Sequence, residues 1–219
     1  MFVFILPLSK HVCYTKTVKY RYNLCKEGDD MSNKTLAFAE ALQDSPVISA
    51  VKNDAGLEKA LSSDCTVLFI LYGTILNISQ LVQRAKKSGK IVFVHIDLIE
   101  GLSSKDISID FIQQNTDADG IISTRINQIR HAKQLGFLTI QRFFLLDSLA
   151  FENVCRQSTH ADAVDILPGT MPRVIERLRK KIRQPIIASG LISDKQDILA
   201  ALSAGALGVS TTSEPLWFA

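Results

Sequence analysis

Eight short apolar runs, spaced almost evenly along the chain, constrain its fold more than any other feature. They are PVISAV (46–51), CTVLFILY (65–72), KIVFVHID (90–97), ADGIIST (118–124), FLTIQRFF (137–144), AVDILPG (163–169), QPIIASG (184–190) and LGVSTT (207–212). Each is rich in Val, Ile and Leu and continuous rather than alternating, as strands buried on both faces are. Parallel strands need crossovers of about a dozen residues or more, and amphipathic stretches of that length separate the runs. Asp54 is positioned to cap a helix carrying Leu57, Ala60 and Leu61, and residues 77–87 stop at Ser88-Gly89. Residues 128–135 end at Gly136, Pro172 sits in the first turn of 170–181, and Asp194 precedes a helix that ends at Gly205. Residues 36–42 add a helix before the first strand.

This rhythm predicts a compact (β/α)8 barrel over residues 31–219, in preference to an open doubly wound sheet. Its last unit is truncated, because only residues 213–219 follow the eighth run. The missing helix is expected to bare an apolar flank between the first and last crossover helices. A second copy in a homodimer, or the N-terminal helix, would then cover it.

The first thirty residues share none of this periodicity. They lack the basic n-region and small-residue cleavage site of a signal peptide. Lys26-Glu27-Gly28-Asp29-Asp30 directly precedes Met31, and Glu-Gly-Asp can be encoded GAAGGAGAT, which contains a purine-rich ribosome-binding sequence. Met31 is therefore expected to be the native start, with residues 1–30 a non-native leader or disordered arm. The competing reading is a basic arm that binds RNA. No apolar run reaches the ~20 residues of a membrane-spanning helix, so no membrane partner is expected. Cys13, Cys25, Cys65 and Cys155 form no CxxC pair; Cys65 and Cys155 sit among apolar residues, so these two are expected to be buried thiols in a reducing cytoplasm. No His, Cys or Asp spacing resembles a metal site, so neither metal nor cofactor is expected.

In such a barrel, function collects at the carboxyl ends of the strands. ASGLIS and AGALGVSTTS, which close the seventh and eighth runs, are small and hydroxylated, as barrel phosphate sites are. Ser189, Gly190, Ser210 and Thr211 are the expected phosphate contacts, each charge-assisted hydrogen bond contributing roughly 1.5–3 kcal/mol. Lys52, His95, Asp97 and Arg142 are placed to meet the rest of a small phosphorylated polyol. Asp97 with Lys52 or His95 would also form an acid–base pair, so an isomerase, epimerase or aldolase acting on such a compound is the alternative. His95 reads equally as a core histidine, and Asp165 reads as structural. The basic segments RAKKSGK (84–90) and RVIERLRKKIR (173–183) suit solvated helix ends and lack interleaved aromatics.

HIDLIEGL (95–102), GIISTR (120–125), QRFFLLD (141–147), ILPG (166–169) and TTSEPLW (211–217) resemble the glycerol uptake operon antiterminator family, regulatory proteins of Gram-positive bacteria. The motifs run in family order over roughly residues 45–217. The resemblance implies a barrel whose phosphate site serves as a sensor. Family members bind sn-glycerol 3-phosphate and then the leader mRNA of glycerol-utilisation genes, preventing a terminator hairpin. The expectation is thus a cytoplasmic regulator rather than an enzyme, with Ser123, Thr124, Arg125 and Arg142 needing no catalytic partner. Arg125, Arg130, Lys133, Arg179, Lys180 and Arg183 are the residues from which an RNA-binding patch would assemble. A sensor that signals through a protein partner is a third reading. The loops after the third and eighth strands are expected to move. The SEPLWFA ending departs from the longer or more basic tails of many relatives.

Overall fold

Each apolar run becomes a strand in the computed structural model, which describes residues 33–218. The expectations for residues 1–30 lie outside the described residues. The strands are β1 (Val47–Val51), β2 (Val67–Ile70), β3 (Ile91–His95), β4 (Gly120–Ser123), β5 (Leu138–Phe144), β6 (Ala163–Leu167), β7 (Ile186–Ser189) and β8 (Gly208–Thr211). Each pairs in parallel with the next, and β8 returns to β1 through Val47↔Val209 and Ile48↔Ser210, closing the barrel. Helix α1 (Asn33–Asp44) precedes β1. The crossovers carry α2 (Asp54–Leu61), α3 (Ile78–Lys87), α4 (Ile107–Asn115), α5 (Ile126–Gln134), α6 (Ser148–Gln157), α7 (Pro172–Arg179) and α8 (Lys195–Ser203). The fold is a (β/α)8 barrel with an added first helix and a shortened last unit. No helix among the described residues is long and apolar enough to cross a membrane.

Helix ends follow local chemistry, with one correction. Asp194 caps α8 by accepting the Asp197 amide at 2.9 Å, and Pro172 opens α7. The cap of α2, however, is Asn53 and not Asp54. Asn53 holds the extended backbone a cap requires, and its Oδ1 accepts the Gly56 amide at 2.8 Å. Asp54, one residue inside, accepts instead from the Tyr72 phenol at 2.9 Å and pairs with Arg84.

The barrel interior is packed. The Phe69 and Phe93 rings meet edge-on at 5.6 Å, and a Cβ at Gly120 on the neighbouring strand would lie 2.3 Å from the Phe93 ring. Phe38 of α1 reaches the same ring at 5.0 Å, while Leu42 packs beside Gly208 and Ile48. Helix α1 therefore plugs the amino end of the barrel, where water would otherwise meet its apolar floor.

The bare flank expected beside the last unit is absent. A 3₁₀ turn at Glu214–Phe218 occupies the place of an eighth crossover helix. Trp217 is 2% exposed, packs near Gly56 of α2, and donates its indole N–H to the Thr211 carbonyl at 2.9 Å. Lys59 pairs with Glu214 across the same seam. Burying a side chain such as Leu216 contributes ~1.5–3 kcal/mol, and five residues cover the seam in place of a full helix. The reason given for a covering second copy disappears with the flank.

Candidate functional site at the carboxyl ends of the strands

Around β2, β3 and β4 the rim is stitched shut. The loop after β2 joins the loop after β3 through a bridge between Thr74 and Glu100, with Glu100 N–H donating to Gly73 O at 2.9 Å and Ile75 N–H to Glu100 O at 2.8 Å. Asp97, in the 3₁₀ turn Ile96–Leu98 after β3, then clasps the start of the next crossover. Its oxygens accept from the Ser123 hydroxyl at 3.2 Å, the Thr124 amide at 2.7 Å, the Thr124 hydroxyl at 3.0 Å and the Arg125 guanidinium at 2.7 Å. Ser123 also bonds Gln128 Oε1 at 2.8 Å, and Gln128, fully buried, reaches back to Ser103 O. Asp97 and Arg125, expected to face a polyol and RNA respectively, are thus bonded to each other. The Ser-Thr-Arg end of β4 is half of a backbone clasp, and the loop after β3, expected to move, is the most tied of the rim.

The centre of the mouth holds a charged pair. Arg142 of β5 and Asp165 of β6 are register partners, and Arg142 Nε donates to Asp165 Oδ2 at 2.7 Å. Asp165 is fully buried and Arg142 is 8% exposed. Beside them His95 is buried, with Nδ1 3.9 Å from Asp97 Oδ2, too far for a hydrogen bond. Burial first, and the Arg142 charge second, push the imidazole down to about 4, so it is neutral at physiological pH. Both His95 Nδ1 and Asp165 Oδ1 are buried without a partner among the described residues.

Between β7 and β8 the rim is open. A cavity of about 140 Å³ is lined by Arg142 and Leu167 below and by Ser189 to Ile192 and Ser210 to Thr212 around its wall. Gly190 (φ 75) and Leu191 (φ 60) are both left-handed, a conformation that strains Leu191. The amides of Leu191, Ile192 and Thr212 donate to no other atom of the described residues. The Ser189 hydroxyl is buried without a partner. Thr211 differs: its hydroxyl donates to Ile192 O at 2.9 Å and accepts the Ser213 amide, so it ties the two loops together. Gly169 fits this design, since a Cβ there would sit 2.7 Å from the Ser189 amide nitrogen.

The six expected RNA contacts do not form one patch. Arg125 lies at the carboxyl end of the strands. Arg130 bonds His160 at 3.0 Å and Lys133 pairs with Asp162 at 3.1 Å, both on α5 as it runs toward the amino end. Arg179, Lys180 and Arg183 belong to the end of α7 and its exit. Lys52 is exposed at the end of β1, outside the residues that line the cavity.

Residues 47–217 match the family described as glycerol-3-phosphate responsive antiterminator. The chain belongs to this family. Among similar proteins is the uncharacterised YgcP of Escherichia coli (strain K12), 43% identical over 178 residues that span 80% of this chain and 93% of that one. The crystal structure of a glycerol uptake operon antiterminator regulatory protein from Listeria monocytogenes is 35% identical with a TM-score of 0.75, covering 80% of this chain and 95% of that chain. A glycerol uptake operon antiterminator-related protein from Thermotoga maritima is 32% identical with a TM-score of 0.70, covering 78% and 96%. Barrels at 13% to 19% identity, several of them enzymes, share the fold alone.

In this family member the quoted motifs divide into two kinds. HIDLIEGL and GIISTR supply the clasp, with Ile96 and Ile99 buried beneath it. QRFFLLD and ILPG supply the Arg142 strand and the Gly169 close approach. TTSEPLW supplies the Thr211 tie and the Trp217 cover. Sequence reasoning missed the amides of Leu191, Ile192 and Thr212, because a backbone donor carries no residue signature.

Proposed function

We propose that this chain is a glycerol-3-phosphate-responsive transcription antiterminator acting in the cytoplasm. Its effector, sn-glycerol 3-phosphate, occupies the cavity between β7 and β8, and the liganded protein binds the leader mRNA of glycerol-utilisation genes. The observation that carries the ligand assignment is the set of donors, in residues lining that cavity, without a partner among the described residues: the Ser189 hydroxyl and the Leu191, Ile192 and Thr212 amides. A phosphate joining them, with Ser210 and Gly190, gains charge-assisted hydrogen bonds of roughly 1.5–3 kcal/mol each. Arg142 on the floor offsets the dianion, and the glycerol hydroxyls extend along Arg142 toward His95; Lys52, outside the cavity lining, is left out. Asp97 is left out, because its lone pairs already hold Ser123, Thr124 and Arg125.

The same occupancy of Asp97 favours a regulator over a barrel enzyme. A general base must be free to accept a proton from substrate. The ligand acts through differential affinity for two states of the protein, and a coupling of roughly 1–3 kcal/mol is of ordinary size. A gel shift on leader RNA, with and without sn-glycerol 3-phosphate, tests the reading. A shift that strengthens with the ligand supports it. Conversion of the phosphate ester by the purified protein, with no shift in either condition, sinks it.

A further inference from the structure

A second, larger concavity of about 620 Å³ opens on the outer wall between α6 and α7. Leu145 and Leu146, just after β5, form its upper end, and Phe151 of α6 faces Met171 and Val174 along its length. Leu146 is 85% exposed, and neighbouring Phe144 and Leu149 are also exposed, leaving a bare apolar strip. The α7 side of it is strongly basic. Residues 172–183 carry Arg173, Arg177, Arg179, Lys180, Lys181 and Arg183 against the single carboxylate Glu176. That excess of five is larger than the +3 of the whole chain. Arg173, Arg177, Lys180, Lys181 and Arg183 are exposed, and no ion pair among the described residues engages them. On the facing wall, Asp147 is committed as the α6 cap, accepting the Ala150 amide, and Glu152 is the other carboxylate.

The aromatic partner missing from the basic segment in sequence is supplied here by another helix. The Arg177 guanidinium lies over the Phe151 ring, 4.7 Å from its centroid. A base can stack on the outer plane of a guanidinium backed by a ring in this way, while backbone phosphates follow the cations, as in the holding of unpaired nucleic acid. A second copy fits poorly, because a two-fold contact through α7 would set two strongly basic helices against each other.

We infer that the α6–α7 groove binds single-stranded RNA and is the face through which the ligand is read out; this rests on the antiterminator reading above. The groove and the inner cavity share backbone. Leu167 lines the cavity, and its carbonyl accepts the amide of Leu145, which lines the groove, at 2.7 Å. Gly169 donates to the Gly190 carbonyl at 3.1 Å, two residues before Met171 of the groove. A phosphate that orders residues 190–192 therefore acts on both connections that frame the groove.

The test titrates full-length protein into labelled single-stranded leader RNA of a glycerol-uptake operon, at several salt concentrations, with and without saturating sn-glycerol 3-phosphate. Arg177→Ala with Lys181→Ala should make the slope of log affinity against log salt shallower by about 1.4, at ~0.7 per cation on a single strand. Phe151→Ala should weaken binding roughly ten-fold or more, as loss of one stacking face does. Leu146→Asp, at a side chain already open to solvent, should weaken it without touching the core. All variants should keep the wild-type heat of ligand binding. Wild-type binding with unaltered variants overturns the groove and leaves the antiterminator reading intact. Variants that change only the sedimenting mass assign the groove to a second copy and overturn it too. If the wild type binds no RNA in either condition, the antiterminator reading fails and the groove assignment falls with it.

Discussion

Between β2 and β4 the polar side chains of the rim bond to one another, whereas between β7 and β8 several bond to no other group among the described residues. Both arcs use the same residue types. Ser123 and Thr124 donate to Asp97 within a closed network. Ser189, buried as Ser123 is, has a hydroxyl without a partner, beside three amides that donate to no atom among the described residues. A buried polar group without a partner costs about 1–3 kcal/mol, so the Ser189 hydroxyl calls for something outside the described residues to satisfy it. The closed arc positions backbone, and the open arc is where the proposed ligand would bond. Residue type alone does not distinguish the two.

The charged pair between the arcs should show the largest effect. Arg142→Ala strands the fully buried Asp165 and is expected to destabilise the protein by about 3–5 kcal/mol in urea unfolding. Arg142→Leu combined with Asp165→Leu should recover most of that loss. If Arg142→Ala unfolds at the wild-type midpoint, the pair is not a structural floor.

His95 should impose the next effect, as a dependence on pH. Its unfolded imidazole takes a proton near 6.5 and its folded one only at about 4. Between these values the unfolded chain binds more protons, so stability is complete above pH 6.5 and falls as pH drops toward 4, by roughly 3 kcal/mol in all. His95→Asn should flatten the curve in that window, and an unchanged slope would show that His95 is not the group responsible.

The two arcs can then be set directly against each other. Ser189→Ala should weaken sn-glycerol 3-phosphate binding by about 1.5–3 kcal/mol in calorimetry while leaving the unfolding midpoint unchanged, since no bond within the chain is lost. Asp97→Asn should do the reverse: a stability loss of about 1–2 kcal/mol, with ligand affinity within about twofold of wild type. Exchange of those outcomes, with Asp97 governing affinity and Ser189 stability, would invert the assignment of the arcs.

Much of this molecule is legible before it folds. The strands were readable because a parallel barrel buries both strand faces, and the run of apolar residues that burial demands is a local pattern. The α8 cap at Asp194 and the α7 start at Pro172 were readable for the same reason, since helix-start signals act over about three residues. Asn53 displaced Asp54 because both types cap well and only the backbone angle at 53 selects between them. In the site, Ser189, Gly190, Ser210 and Arg142 line the cavity as their strand-end positions suggest. The free amides were not legible, and the roles of Asp97 and Asp165 in a clasp and a pair depend on partners 26 and 23 residues away.

By itself, the sequence determined the eightfold strand and helix order, the carboxyl-end location of the polar residues and the membership of a family, because periodicity, punctuation and motif order are one-dimensional. Tertiary structure alone decided which of those polar residues satisfy one another and which are left open. It also decided that a five-residue turn replaces a helix and that Phe151 of one helix meets Arg177 of the next. Each of those outcomes is a distance between segments far apart in the chain, and such distances exist only once the barrel has closed.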